Sequence, residues 1–183
     1  TRKLIYDLPD YRFVIMRSFD VPTYVEAGAV DVGVVGKDVL MEQGGEVYEL
    51  LDLGLTPCRI VLAAPAGRYP DGEWKRSPTL NVASKYPCIA ERALGEMGVE
   101  ARVIKLHGNA ELAPLVGLAD VVLDLVSTGR TLRANGMEVI AELGWVSGRL
   151  IANPASLRLK SGAIGRLVED LREAMKGGDR RCG

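Results

Sequence analysis

The residues best suited to chemistry lie at 119–132, ADVVLDLVSTGRTL. An apolar strand delivers Asp124 to its carboxyl end, a Ser-Thr-Gly turn follows, and Thr131 opens a short helix ending near Gly136. In α/β sheets, ligands gather at the carboxyl ends of strands. Helix N-termini and successive turn N–H groups bind anions, because unpaired donors point outward along the macrodipole. Ser127, Thr128 and Thr131 add hydroxyl donors, and Gly129 lets the backbone approach an oxygen-rich group closely. This order of residue types suits a phosphomonoester on the turn, with Asp124 facing neighbouring hydroxyls such as those of a ribose. A plain strand–turn–helix with a capping Thr accounts for the same residues. The acid placed just before the turn is the feature that favours a ligand.

The elements that must position this segment follow from patterning. Short β-rich apolar runs alternate with helical patterns, which predicts an α/β fold with largely parallel sheets. Strands are expected at 12–17, 32–35, 59–63, 80–83, 102–106, 121–125, 139–143 and 149–152. Helices are expected at 22–28, with Pro first and Gly last, at 86–97, and at 109–116 with Asn109 as the cap. From Ser161 an apolar stripe of Ile164, Leu167, Val168, Leu171 and Met175 faces away from mixed charges, predicting a packed amphipathic helix. The Pro-, Gly- and charge-rich run 65–78 reads as an exposed loop near a lobe boundary. Periodicity alone does not choose between one lobe and two.

Composition narrows the partners. The 183 residues are 48% hydrophobic and 26% charged, as in a folded globular chain. With 23 basic residues against 24 acidic ones the net charge is -1, which excludes the bulk basic signature of a nucleic-acid binder. A phosphate must then be held by local dipoles and a few arranged donors. Cys58, Cys88 and Cys182 match neither a zinc spacing nor a disulfide framework, pointing to a reducing, cytoplasmic setting. No apolar run approaches the ~20 residues that span a membrane, and no basic-then-apolar leader opens the chain. Residue 1 is Thr, and Leu4-Ile5-Tyr6 reads like the middle of a fold, so a preceding N-terminal piece is expected.

Residues 119–132 closely resemble the phosphoribosyl-pyrophosphate (PRPP) loop of the ATP phosphoribosyltransferases. The resemblance extends to RFVIMRSFDVPTYVEAGAVDVGVVGKDVL (12–40), KYP (85–87), GNAELAPLVGLADVVLDLVSTGRTLRANG (108–136) and LIANPASLRLK (150–160), in the family's order. It implies transfer of the 5-phosphoribosyl group from PRPP to N1 of ATP, with loss of pyrophosphate, as the first step of histidine biosynthesis. Mg²⁺ is implied through the pyrophosphate, with no protein metal ligand assigned. The implied fold is α/β, a two-lobed type II periplasmic-binding-protein-like fold with the active site in the interlobe cleft. Lobe I would comprise 1–58, its N-terminal part incomplete, and 153–183. Lobe II would be 59–152, carrying the PRPP loop, with crossings near Cys58 and Asn153.

Carried over residue by residue, the resemblance makes Ser127, Thr128, Gly129, Arg130 and Thr131 the 5′-phosphate cradle. Asp124 would hold ribose hydroxyls and stabilise charge on the ring, with Glu111 also at the site. Arg17 would serve the leaving pyrophosphate, Asp38 would face the cleft and Tyr86 would lie near a base. The short form of the family is implied, a catalytic subunit working in a hetero-oligomer with a histidyl-tRNA synthetase-like regulatory subunit. This chain alone would be a dimer of low activity, without nucleic-acid or membrane partners.

Each residue also has a plainer role. Asp38 suits a cap for a helix after Gly36, Arg17 a strand-end surface charge, Glu111 a first-turn dipole partner and Tyr86 simple packing. His107 is the only histidine and receives no role. The chain lacks the family's Leu-Pro-Lys-Gly-Arg type segment, has Phe19 where Lys is common and has Cys88 where Asn is common. Two other functions remain in view: a non-catalytic binding protein of the same fold, and a type I phosphoribosyltransferase. The latter's loop typically carries adjacent acids, whereas here Leu123 precedes Asp124.

Overall fold

The computed structural model describes residues 3–178, so Cys182 lies outside the described residues. In chain order the elements are β1 (Ile5–Asp7), β2 (Arg12–Val14), α1 (Val21–Glu26), β3 (Val32–Gly36), α2 (Lys37–Gln43), β4 (Tyr48–Asp52), β5 (Cys58–Pro65), β6 (Leu80–Ser84), α3 (Pro87–Glu96), β7 (Ala101–Lys105), α4 (Leu112–Leu115), β8 (Val121–Val126), α5 (Arg130–Ala134), β9 (Met137–Val146), β10 (Gly148–Ala152), α6 (Pro154–Leu159) and α7 (Ser161–Gly178). They form two compact units, one of Thr1–Leu40, Gly44–Gly54 and Gly148–Gly183, the other of Met41–Gln43 and Leu55–Ser147.

The first unit holds a three-stranded sheet in the order β3-β10-β4 and the β1-β2 hairpin. Both pairings of β10 are antiparallel, with Leu150 opposite Val34 and Leu51. Val25, Val35, Val39 and Ile151 form its core, and Phe19 packs against them. A Cβ at Gly33 would lie 2.7 Å from Val21 and 2.8 Å from Val25, so this glycine lets α1 seat directly on β3. Asn153 joins the pieces. Its Oδ1 accepts from the N–H groups of Ala155 and Ser156 at 2.9 Å, capping α6, while Nδ2 donates to the carbonyls of Val25 and Glu26.

The second unit holds a five-stranded sheet in the order β7-β6-β8-β5-β9. Its central strand β8 is apolar on both sides of the sheet: Val121, Val122 and Leu123 are fully buried, as expected of a strand covered on both faces. Each such side chain contributes roughly 1.5–3 kcal/mol through burial.

Several expectations are corrected. The five-stranded sheet is mixed, since β6-β7 and β6-β8 are parallel while β5 runs antiparallel to β8 and β9, and the three-stranded sheet is wholly antiparallel. Strand patterning reports burial and is blind to direction. Besides the short excursion at Met41–Gln43, the chain passes between the units at Gly54/Leu55 and Ser147/Gly148, a few residues ahead of Cys58 and Asn153. The latter crossing is displaced because β10 hydrogen-bonds to β3 and β4 of the first unit. The strand expected at 12–17 ends at Val14, leaving Arg17 as an extended residue ahead of the 3-10 turn Ser18–Asp20. Asn109 is left-handed (φ 47°) and does not cap α4, whose N-cap is Glu111. The run 65–78 contains the 3-10 segment Pro70–Arg76, lies inside the second unit and buries Trp74 to 1% exposure. Burial of the indole ring makes this run part of the fold. The stripe on α7 is only partly packed: Ile164 is buried, Leu167, Val168 and Leu171 are half-buried, and Met175 is exposed. Strands β1 and β4 and helix α6 had no expectation attached to them. Among the described residues, no helix is long and apolar enough to cross a membrane.

Candidate functional site

Strand β8 ends at Val126, and Gly129, left-handed at φ 70°, turns the chain into α5. An L side chain in that region would cost roughly 1–2 kcal/mol, which is why glycine sits there. Leu132 on α5 packs with Val61, Val122, Val126 and Met137, anchoring the turn to the sheet. By helix geometry the first-turn N–H groups of α5 have no intrahelical acceptor, so they are available to a bound anion.

A cavity of about 170 Å³ sits on this turn, lined by Glu111, Asp124, Leu125, Val126, Ser127, Thr128, Gly129, Arg130, Thr131 and Leu132. That is below the ~300–1,000 Å³ typical of pockets enclosing a whole ligand, so it suits one part of a larger substrate. Seven of the sequence-selected residues therefore meet here: Glu111, Asp124 and residues 127–131.

Asp124 is half-buried, and its Oδ1 accepts from the Leu125 N–H at 2.8 Å. Burial, reinforced by the negative charge of Glu111, pushes its carboxyl above the usual range, against the opposing pull of the Leu125 N–H and Lys85. Lys85, exposed just after β6, is thus electrostatically coupled to the site; sequence reading quoted it within KYP but gave it no role. Ser84 beside it is fully buried: its Oγ donates to the Leu123 carbonyl at 2.9 Å and accepts from the Tyr86 N–H at 2.9 Å. This bridge ties the ends of β6 and β8 together immediately before Asp124.

The other selected residues are placed differently. Tyr86 is buried, with the Lys85 ammonium 5.7 Å from its ring centroid, and does not line the cavity. The packing role fits this placement. Arg17 and Asp38 belong to the first unit. Arg17 is exposed. Asp38 lies in the first turn of α2, whose N-cap is Gly36; its carboxylate folds over Gly36, where a Cβ would collide with it. His107 is exposed and outside the cavity. Phe19, where the family often has Lys, is directed into the apolar core of the first unit.

The profile of the family HisG: ATP phosphoribosyltransferase matches residues 17–173. The chain belongs to the ATP phosphoribosyltransferase family. It is 48% identical over 177 residues to the ATP phosphoribosyltransferase of Syntrophotalea carbinolica, covering 96% of this chain and 81% of that one. With the enzyme of Symbiobacterium thermophilum the identity is 53% over 162 residues, covering 88% and 73%. Among solved structures, the ATP phosphoribosyl transferase (HisG:HisZ) complex from Thermotoga maritima superposes with a TM-score of 0.82 at 32% identity, covering 97% of this chain and 86% of that one. A structure of Tv2483 bound to L-arginine, with a TM-score of 0.60 and 13% identity, shares the fold alone.

The activity follows from membership. The chain transfers the 5-phosphoribosyl group of PRPP to N1 of ATP, releasing pyrophosphate, in the first step of histidine biosynthesis. Such a transfer needs a grip on the 5′-phosphate, a carboxylate near the ribose and positive charge for the departing pyrophosphate.

Proposed function

We propose that the cavity on the β8–α5 turn is the PRPP subsite, with residues 127–131 cradling the 5′-phosphate and Asp124 accepting from the ribose hydroxyls. The observation carrying this reading is the joint lining of one small cavity by the turn and by Asp124. N1 of adenine needs no strong base to attack, so positioning and electrostatics suffice. As the bond from C1 to pyrophosphate lengthens, positive charge grows on the ribose ring, and the carboxylate of Asp124 stabilises it. Its raised pKa makes deprotonation the condition for this role. Arg17 and Asp38, from the first unit, are proposed to serve the pyrophosphate and ATP; Tyr86 is proposed to shape the base region through packing.

A Mg²⁺ ion carried on the pyrophosphate fits the donor set. Glu111 and Asp124 are the two carboxylates that line the cavity. Mg²⁺ commonly uses one or two carboxylates plus substrate phosphates; when bound, it supplies charge to the leaving group. Glu111 would hold it.

The two units are read as the lobes of a type II periplasmic-binding-protein-like fold. The discontinuous first unit supports this reading. A regulatory partner resembling histidyl-tRNA synthetase is proposed because the Thermotoga maritima structure is a HisG:HisZ complex. The short form is proposed on the same likeness to a HisG:HisZ complex. An enzyme consuming ATP and PRPP is read as cytoplasmic.

The test is phosphoribosyl-ATP formation from ATP, PRPP and Mg²⁺, followed by near-ultraviolet absorbance, with and without the partner and beside Asp124→Ala. Product that needs the partner and is lost in the variant is expected. Full activity in Asp124→Ala would overturn the assignment of this subsite, and full activity without the partner would overturn the dependence.

A further inference from the structure

We propose that Arg133, which does not line the cavity, is a positioning residue that presets the phosphate turn for PRPP. This rests on the reading of residues 127–131 as the 5′-phosphate cradle. Arg133 sits on α5, its own N–H bonded to the Gly129 carbonyl at 3.1 Å. Its side chain doubles back: Nη2 donates to the Thr128 carbonyl at 3.0 Å. Nη1 lies 3.2 Å from where a Cβ on residue 129 would stand. The guanidinium thus packs closely against the side of Gly129 where a Cβ would crowd it.

The consequence lies in peptide geometry. In a trans peptide the carbonyl of one residue and the N–H of the next point in opposite directions. Pinning the Thr128 carbonyl on Arg133 therefore turns the Gly129 N–H away from Arg133. A carbonyl oxygen facing the anion would repel it, and Arg133 keeps this one engaged elsewhere. A charge-assisted hydrogen bond also holds its geometry more firmly than a neutral one. The turn is then organised before substrate arrives, and less ordering is required on binding. The planar fork of arginine, with donors on separate nitrogens, suits a brace of this kind. Arg133 is exposed, so its replacement leaves the apolar core untouched.

The experiment uses the enzyme with its regulatory partner and reads inhibition by ribose 5-phosphate, which carries the 5′-phosphate without pyrophosphate. Pyrophosphate, which lacks that phosphate, serves as the contrasting probe. In Arg133→Met the inhibition constant for ribose 5-phosphate and the KM for PRPP should rise about tenfold. The KM for ATP and inhibition by pyrophosphate should stay within about twofold. Arg133→Lys, which keeps charge and a donor, should recover much of the loss. Thermal unfolding of both variants should match the parent enzyme.

Unchanged ribose 5-phosphate inhibition in Arg133→Met would overturn the proposal, as would equal weakening of every ligand. Thr131→Val separates this failure from that of the underlying reading. If Thr131→Val weakens ribose 5-phosphate while Arg133→Met does not, the cradle stands and Arg133 is dismissed. If neither does, both fall together.

Discussion

Replacement of Asp124 by Asn removes charge while keeping shape, and its consequences should be opposite for activity and for stability. The carboxyl is raised first by burial and further by Glu111, so the folded state prefers it protonated. Neutral Asp124 thus stabilises the fold fully below its unfolded value of about 3.9, and that contribution is lost as pH rises through the higher folded value. At neutral pH the charged carboxylate is a stability cost, which Asn removes while its amide oxygen still accepts from Leu125. Asp124→Asn should therefore melt above the parent at pH 7, and the difference should vanish below about pH 4. Catalysis should suffer instead. Losing one charge-assisted bond to a ribose hydroxyl removes about 1.5–3 kcal/mol of transition-state stabilisation, or roughly 10- to 150-fold in kcat/KM for PRPP. The assay is steady-state phosphoribosyl-ATP formation with varied PRPP, beside calorimetric melting at both pH values. A kcat/KM within about threefold of the parent, or a lower melting temperature at pH 7, would refute the reasoning.

Other outcomes follow from neighbouring contacts. Because Glu111 raises the Asp124 carboxyl and Lys85 lowers it, the acid limb of kcat/KM should move down in pH in Glu111→Gln and up in Lys85→Met; pH–rate profiles decide this. Asn153→Ala removes the α6 cap and strands the carbonyls of Val25 and Glu26, and should cost about 2–3 kcal/mol in urea unfolding. Trp74→Ala should cost about 3–5 kcal/mol despite its place in a Pro- and Gly-rich run, since the ring is almost wholly buried.

The local part of the site was legible in the sequence because it is local. An apolar run ending in Asp124, a left-handed Gly129 and a short helix carrying Leu132 are encoded within consecutive residues. Their cavity needs little else beyond Glu111. The positions of β3, β6, β8 and β10 followed from apolar periodicity, since buried strands must be apolar wherever they pair. Their directions and partners did not follow, because burial is indifferent to whether a neighbour runs parallel or antiparallel. Only the tertiary structure assigned β10 to the first unit, through hydrogen bonds to β3 and β4. Folding likewise brought Ser84 to the carbonyl of Leu123, 39 positions away, and Lys85 within electrostatic reach of Asp124. It also buried Tyr86 and Trp74, whose rings a one-dimensional pattern can place equally well in solvent. Residue types thus determined which chemistry the chain can perform, while long-range packing decided which charges act on Asp124 and which aromatic rings are withdrawn from solvent.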